Sequence, residues 1–369
     1  EVVAAAPLAH AIKAALDCHL IFSTITPTGR EMVAKRNLPA DLVVYLPFDI
    51  PWFVRRAFAR LKPDALVLME SELWYNLVFL ARKRSIPLML ANGRISDRRL
   101  KRGARLKWYY RAIYRQLDAI LMQSKADLER ALAFGAPRER AAVGGNTKFE
   151  EPEPEVSPEE AAALKRQLGF AEGDLVLVCG STREGEEAKL LTAFEQILLA
   201  VPEARLLIAP RHLHRVPEVV QLLKTAGFEP LLRTEVQPGA VTSGRQIVLL
   251  NTLGELARVY AIARLAFLGG SLINWGGQNL LQPLAHGKPP LTGPHFQNFR
   301  SLVELATEAD VCYVIENEQA LAEAVIRLMR DEELLASFGA RAKAFLAANK
   351  GASERTVAKL IELLDHADG

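Results

Sequence analysis

Two glycine pairs bracket a polar loop in Phe267-Leu268-Gly269-Gly270-Ser271-Leu272-Ile273-Asn274-Trp275-Gly276-Gly277-Gln278-Asn279, between an apolar run and a helix-period segment starting near Leu280. Glycines let backbone N–H groups approach an anion, and a helix N-terminus adds partial positive charge. The stretch is therefore expected to cradle an anion rather than serve only as a tight turn. Cys179-Gly180-Ser181-Thr182-Arg183-Glu184-Gly185-Glu186-Glu187 has the same run, loop, helix order. Its Ser181 and Thr182 suit either a phosphate or plain helix capping. Arg211, in Ala209-Pro210-Arg211-His212-Leu213-His214, closes another apolar run, where a guanidinium can grip phosphate with two prongs. The His-x-His spacing there has no third ligand cluster beside it, so no metal is expected.

The first half offers other chemistry. Thr26, Thr28 and Arg30 follow one apolar run and Glu70 and Glu72 follow another. On an extended segment the two carboxylates would point the same way, suited to acid/base work or to ligand hydroxyls; helix capping is the ordinary alternative. From Arg98 to Arg111, seven basic residues, Arg98, Arg99 and Arg102 among them, interleave with Trp108, Tyr109 and Tyr110 without an acidic residue. That pattern suits an anionic membrane surface or a phosphorylated lipid, and Arg55, Arg56 and Arg60 beside Trp52 and Phe53 extend it.

These residues lie just after short β-branched runs that alternate with helix-period segments. Strands are expected at Cys18–Thr24, Asp41–Leu46, Ala65–Met69, Ile86–Ala91 and Ala119–Met122. A second set is expected at Asp174–Cys179, Ala204–Ile208, Gln246–Leu250, Leu265–Leu268, Pro289–Thr292 and Val311–Val314. Strand–helix alternation predicts parallel sheets covered on both faces, with ligands at the carboxyl ends of the strands. The acidic, proline-punctuated Phe149–Glu155 reads as a linker, and Ser157-Pro158-Glu159-Glu160 as a helix start. Domains are expected at 1–150 and 159–345, joined by 151–158, with a C-terminal helix in 346–369.

The 369 residues are half hydrophobic and one quarter charged, which excludes a disordered chain and a disulfide scaffold. A net charge of +3 is too small to indicate nucleic acid by itself. The three cysteines form no CxxC pair and fit a reducing compartment. No apolar stretch reaches the length of a membrane span.

Taken together, the motifs resemble the 3-deoxy-D-manno-octulosonic acid (Kdo) transferase family. The matching stretches are Thr26–Arg30, Phe48–Trp52, Met69–Trp74, Gly145–Phe149, Gly180–Thr182, Pro210–His212, Asn251–Leu256 and Gly269–Asn279, in the family's order. The resemblance implies a GT-B glycosyltransferase, two Rossmann-like domains facing a cleft. It would move Kdo from CMP-Kdo to a lipid A precursor with inversion, at the cytoplasmic face of the bacterial inner membrane, with no metal or cofactor. The family carries a membrane anchor, a strand and a Gly-Glu pair whose Glu is the general base. Glu1 stands at that Glu, so these elements are expected ahead of it.

The resemblance assigns catalysis to Glu1 and Arg211. It implies donor binding by Lys148, Ser181, Thr182, Arg211, Asn251, Gly254, Glu255, Gly276, Gly277, Gln278, Asn279 and Gln282. Acceptor binding falls to Thr26, Thr28, Arg30, Glu70, Glu72, Arg98, Arg99 and Arg102. Gln282 stands where the family commonly has Glu, Gln278 and Leu280 where it has His and Pro, and Asn251 where Asp is common. Competing readings are a GT-B enzyme using a UDP-sugar, an epimerase of the same architecture, or a lipid A-binding homologue without catalysis. Nucleic-acid binding ranks last.

Overall fold

The computed structural model describes residues 2–95, 106–151, 153–237 and 243–366. The chain divides into two compact units, Glu1–Pro152 with Asn349–Gly369, and Glu153–Ala348. The stretch 346–369, expected as a separate C-terminal helix, thus begins in the second unit and supplies the first with the helix Ala352–Asp365.

In the first unit, β1 (Ile21–Thr24) pairs with β2 (Leu42–Tyr45). A second sheet runs β3 (Leu66–Met69), β4 (Leu88–Gly93), β5 (Ala119–Met122), β6 (Ala141–Val143), all parallel. Strands β4 and β5 are buried along their length, as a parallel sheet covered on both faces requires. Alternation sends Leu88, Leu90, Ile120 and Met122 into one core, while Met89, Ala91, Ala119 and Leu121 meet the helices Val2–Ala15 and Ala352–Asp365 on the other face.

Among the described residues, the second unit holds seven parallel strands: β7 (Leu175–Thr182), β8 (Ala204–Pro210), β9 (Glu229–Leu232), β10 (Gln246–Leu249), β11 (Leu265–Leu268), β12 (Pro290–Thr292) and β13 (Tyr313–Val314). Their order is β13-β12-β11-β7-β8-β10-β9. Leu177, Cys179, Leu206 and Ile208 fill one face, and Val176, Val178, Leu207 and Ala209 the other. The first strand of the unit, β7, has β8 on one side and β11 on the other; the chain leaves β7 toward β8 and leaves β11 toward β12, in opposite directions. The loops after β7 and β11 therefore diverge and open a crevice at their carboxyl ends.

The expected strands all form, with ends shifted by up to three residues. The helix at Pro158–Gln167 starts with the expected device: Ser157 caps Glu160 N–H while the Glu160 side chain accepts from Ser157 N–H. Two strands had no counterpart in the sequence reading. Strand β6 is only three residues long, and β9 contains Pro230, tolerated because β9 is an edge strand.

Candidate active site

The crevice between β7 and β11 is organised by a carboxylate that belongs to the protein. Glu186, at the start of the helix Glu186–Ala200, is fully buried and accepts from the backbone N–H of Gly270 (2.6 Å), Ser271 (3.0 Å) and Leu272 (3.0 Å), and from Arg183 N–H at 3.3 Å. Burial raises its carboxyl pKa against the pull of these donors. The expectation that these loop amides cradle a ligand anion is corrected: the side chain of Glu186 occupies them. Gly269 makes the arrangement possible, since a Cβ there would sit 2.4 Å from the Ser181 carbonyl oxygen.

Its neighbour Glu187 is also fully buried, accepting from the Thr182 hydroxyl at 2.9 Å and pairing with Arg215 at 2.8 Å. Thr182 is fully buried, so its expected phosphate contact is replaced by a structural bond that holds the β7 loop. Ser181 remains partly open, with a left-handed φ of 58°.

The second glycine pair is shaped differently from its expected helix start. Gly276 and Gly277 have φ of 101° and 75°, and Gly277 N–H donates to the Gly270 carbonyl. The helix that follows, Leu281–Ala285, is barely one turn, and Asn279 Oδ1 already accepts from Leu281 N–H. Gln278 and Gln282 are half-buried beside it. On the β10 side, Asn251 exchanges hydrogen bonds with Thr234, Glu255 is held by Thr252 and Arg233, and Gly254 adopts φ of 84°.

What stays available is cationic. Arg211, just after β8, is exposed, and its backbone N–H donates to Thr182 O. Arg183, just after β7, lays its guanidinium over the Trp275 ring at 4.7 Å and donates from Nη1 to His212 Nε2 at 3.0 Å. Arginine has only donors, so His212 accepts through an unprotonated Nε2. Desolvation, then the charges of Arg183, His214, Arg211 and Arg215, holds His212 below the ordinary histidine range. Desolvation and then Arg211 lower the Arg183 pKa. Neither arginine has a carboxylate partner among the described residues. Sequence reasoning quoted Arg183, Glu186, His212 and Trp275 within its loops but gave them no role. Glu186 in particular offers no local signal for this role, because the β11-loop amides it holds lie 84–86 residues away.

In the first unit, Glu70 follows β3 with φ of 53°, a left-handed turn rather than extended backbone. Glu70 and Glu72 therefore lack the shared direction that an extended segment would impose. Glu72 accepts from Trp74 Nε1 at 2.8 Å, and Glu70 faces Lys148 at 3.5 Å. Lys148, expected with the donor-binding residues, belongs to the first unit. Thr26 caps the helix Pro27–Lys35, Thr28 bonds Thr26, and Arg30 stacks on Tyr45. Glu1, Arg98, Arg99 and Arg102 lie outside the described residues. Among the described residues, no group of three or more His, Cys, Asp or Glu is placed to hold a metal.

A family model described as 3-deoxy-D-manno-octulosonic-acid transferase matches residues 1–151. The chain is 31% identical to the 3-deoxy-D-manno-octulosonic acid transferase of Haemophilus influenzae, covering 99% of this chain and 84% of that one. It is 32% identical to the enzyme of the same name from Bordetella pertussis, over 87% and 74% of the two chains. The solved UDP-GlcNAc 2-epimerase from Neisseria meningitidis, bound to UDP-GlcNAc, shares the fold with a TM-score of 0.63 over 99% of this chain and 96% of its own, at 13% identity. That likeness places the two α/β units in the GT-B fold class, and identity above 30% over most of both chains narrows the assignment: the chain belongs to the 3-deoxy-D-manno-octulosonic acid transferase family of glycosyltransferases.

Proposed function

We propose that this protein transfers Kdo from CMP-Kdo to a lipid A precursor, with inversion at the anomeric carbon, in lipopolysaccharide core biosynthesis. Family membership supports the reaction, and one observation in the second unit carries the donor side. Two arginines without carboxylate partners among the described residues stand at the crevice where this sheet type binds nucleotides. The Arg211 guanidinium is assigned the donor phosphate, on which charge develops as the bond to the sugar breaks. The TM-score of 0.63 to an epimerase, at 13% identity, supports a shared fold alone and does not favour a UDP-sugar.

On the acceptor side, Glu1 is the proposed base that takes the proton of a primary hydroxyl. It immediately precedes the helix Val2–Ala15, whose Ala4 carbonyl accepts from the Thr147 hydroxyl at 2.6 Å, one residue before Lys148. The reaction as proposed uses no cofactor, because the leaving group is a stabilised phosphate monoester.

The proposed place of action is the cytoplasmic face of a bacterial inner membrane. No helix among the described residues is long and apolar enough to cross a membrane. Phe48, Trp52 and Trp108 are 77%, 59% and 67% exposed, next to Arg55, Arg56, Lys107 and Arg111, which supports contact with an anionic surface. The test incubates the protein with CMP-Kdo and a tetra-acylated lipid A precursor and reads the lipid by mass spectrometry. Addition of one or more Kdo residues is expected, and Glu1→Gln should abolish it while CMP still binds. CMP binding with unchanged lipid would overturn the acceptor, and turnover by Glu1→Gln would remove Glu1 as base.

A further inference from the structure

We propose that Arg183 recognises the carboxylate of the transferred sugar, and so selects an acidic-sugar donor over a neutral one. The inference rests on CMP-Kdo as donor and assigns to one side chain what the family reading leaves without a residue.

The donor's chemistry sets the requirement. In CMP-Kdo the phosphate oxygen and the C1 carboxylate are both bonded to the anomeric carbon, so two negative charges lie within a few ångströms of each other. A neutral-sugar nucleotide has no second charge at that carbon. A site built for the acidic sugar therefore needs two neighbouring cations.

The crevice supplies two. Arg183 and Arg211 follow β7 and β8, which are hydrogen-bonded neighbours, so their backbones leave the sheet about 5 Å apart. The guanidinium of Arg183 is fixed by contacts that leave its charge unneutralised: the Trp275 face on one side and the neutral His212 ring at Nη1. Its Nε is buried without a hydrogen-bond partner. Glu186, whose charge acts on Arg183, has both oxygens committed to backbone N–H groups. The loop is anchored as well, because Arg183 N–H donates to Glu186 and Arg183 O accepts from Glu186 N–H. A planar cation on an aromatic face, held in advance with no ion-paired carboxylate among the described residues, suits a planar carboxylate. Mutual repulsion between Arg183 and Arg211 in the free protein is relieved when an anion enters beside each.

A merely structural Arg183, packed to support Trp275, would affect all ligands alike, which gives the test its form. The inhibition constant of CMP, which has the phosphate but no sugar carboxylate, is compared with the KM of CMP-Kdo in the transfer assay. Arg183→Gln should raise the CMP-Kdo KM about 10- to 100-fold while the CMP constant moves less than threefold, the size of one charge-assisted contact. Arg211→Gln should weaken both ligands together. Arg183→Lys keeps the charge without the planar stack and should fall between wild type and Arg183→Gln, which guards against a folding artefact. Equal loss of CMP and CMP-Kdo in Arg183→Gln would place Arg183 on the phosphate and overturn the proposal. Unchanged KM in a variant of a wild type that transfers Kdo would overturn it alone. Wild-type protein that binds neither CMP nor CMP-Kdo would overturn the functional reading and this one together.

Discussion

Replacing Glu186 tests whether a carboxylate of the chain, rather than a ligand, holds the β11 loop. Three buried backbone N–H groups, those of Gly270, Ser271 and Leu272, depend on it. Leaving a buried donor unsatisfied costs about 1–3 kcal/mol. Removing all three acceptor contacts with Ala would cost about 3–9 kcal/mol, a large part of the roughly 5–15 kcal/mol that holds a typical protein folded. Glu186→Gln is the milder and more informative change. One oxygen survives as an acceptor, while the new N–H₂ group faces donors that it cannot satisfy. The expected loss is about 2–3 kcal/mol, or roughly 30- to 150-fold faster hydrogen exchange if the loop opens locally. The assay is amide exchange at Gly270–Leu272 by mass spectrometry or NMR, beside the urea midpoint of the second unit. Glu184→Gln, an exposed neighbour with the same charge change, is the control and should stay within about 0.5 kcal/mol of wild type. Loop amides that exchange in Glu186→Gln within threefold of wild type would refute the assignment of this carboxylate as the loop's anchor.

Other outcomes follow from the same geometry. Lys148→Met strands the Glu70 carboxylate, and because the two side chains are 21% and 13% exposed the loss should be about 1–3 kcal/mol, below that of a fully buried pair. A double-mutant cycle with Glu70→Gln measures it, and a coupling below about 0.3 kcal/mol would count against the pair. His286 donates from Nε2 to Ala257 O at 2.8 Å, and burial lowers its pKa from 6.5. A depressed histidine stabilises the fold above pH 6.5 and loses that contribution as pH falls through its folded pKa. Urea midpoints should therefore drop on acidification below pH 6.5, and by less in His286→Gln; parallel pH profiles would contradict this. Neutralising Arg55, Arg56 and Arg60 should weaken binding to anionic vesicles about 100-fold at low salt, at roughly 1 kcal/mol per charge, with the gap closing as salt rises. Equal vesicle binding by the two proteins would leave that helix merely solvated.

Much of the fold was legible because its signals are local. β-branched runs, the Ser157 capping box and the acidic Phe149–Glu155 break act over a few residues, and each expected strand formed close to where its run lies. The two overlooked strands, one short and one carrying Pro230 at an edge, are those whose local signal is weakest. The loops holding the candidate site were legible for the same reason: they end strands.

What only the tertiary structure decided is which groups in those loops are already taken. A glycine-rich loop reads as an anion cradle whether its amides face solvent or a carboxylate of the same chain, and Glu186 reaches them across 84–86 residues of sequence. Thr182 reads as a phosphate contact until its hydroxyl is found on Glu187, and Glu70 as part of an extended pair until its left-handed turn is seen. Arg183 passes for an ordinary loop residue until Trp275 and His212 arrive beside it from other strand ends. Secondary structure and strand-end loops follow from spacing along the chain. Whether a polar group is satisfied or free depends on partners that only folding brings within hydrogen-bond reach.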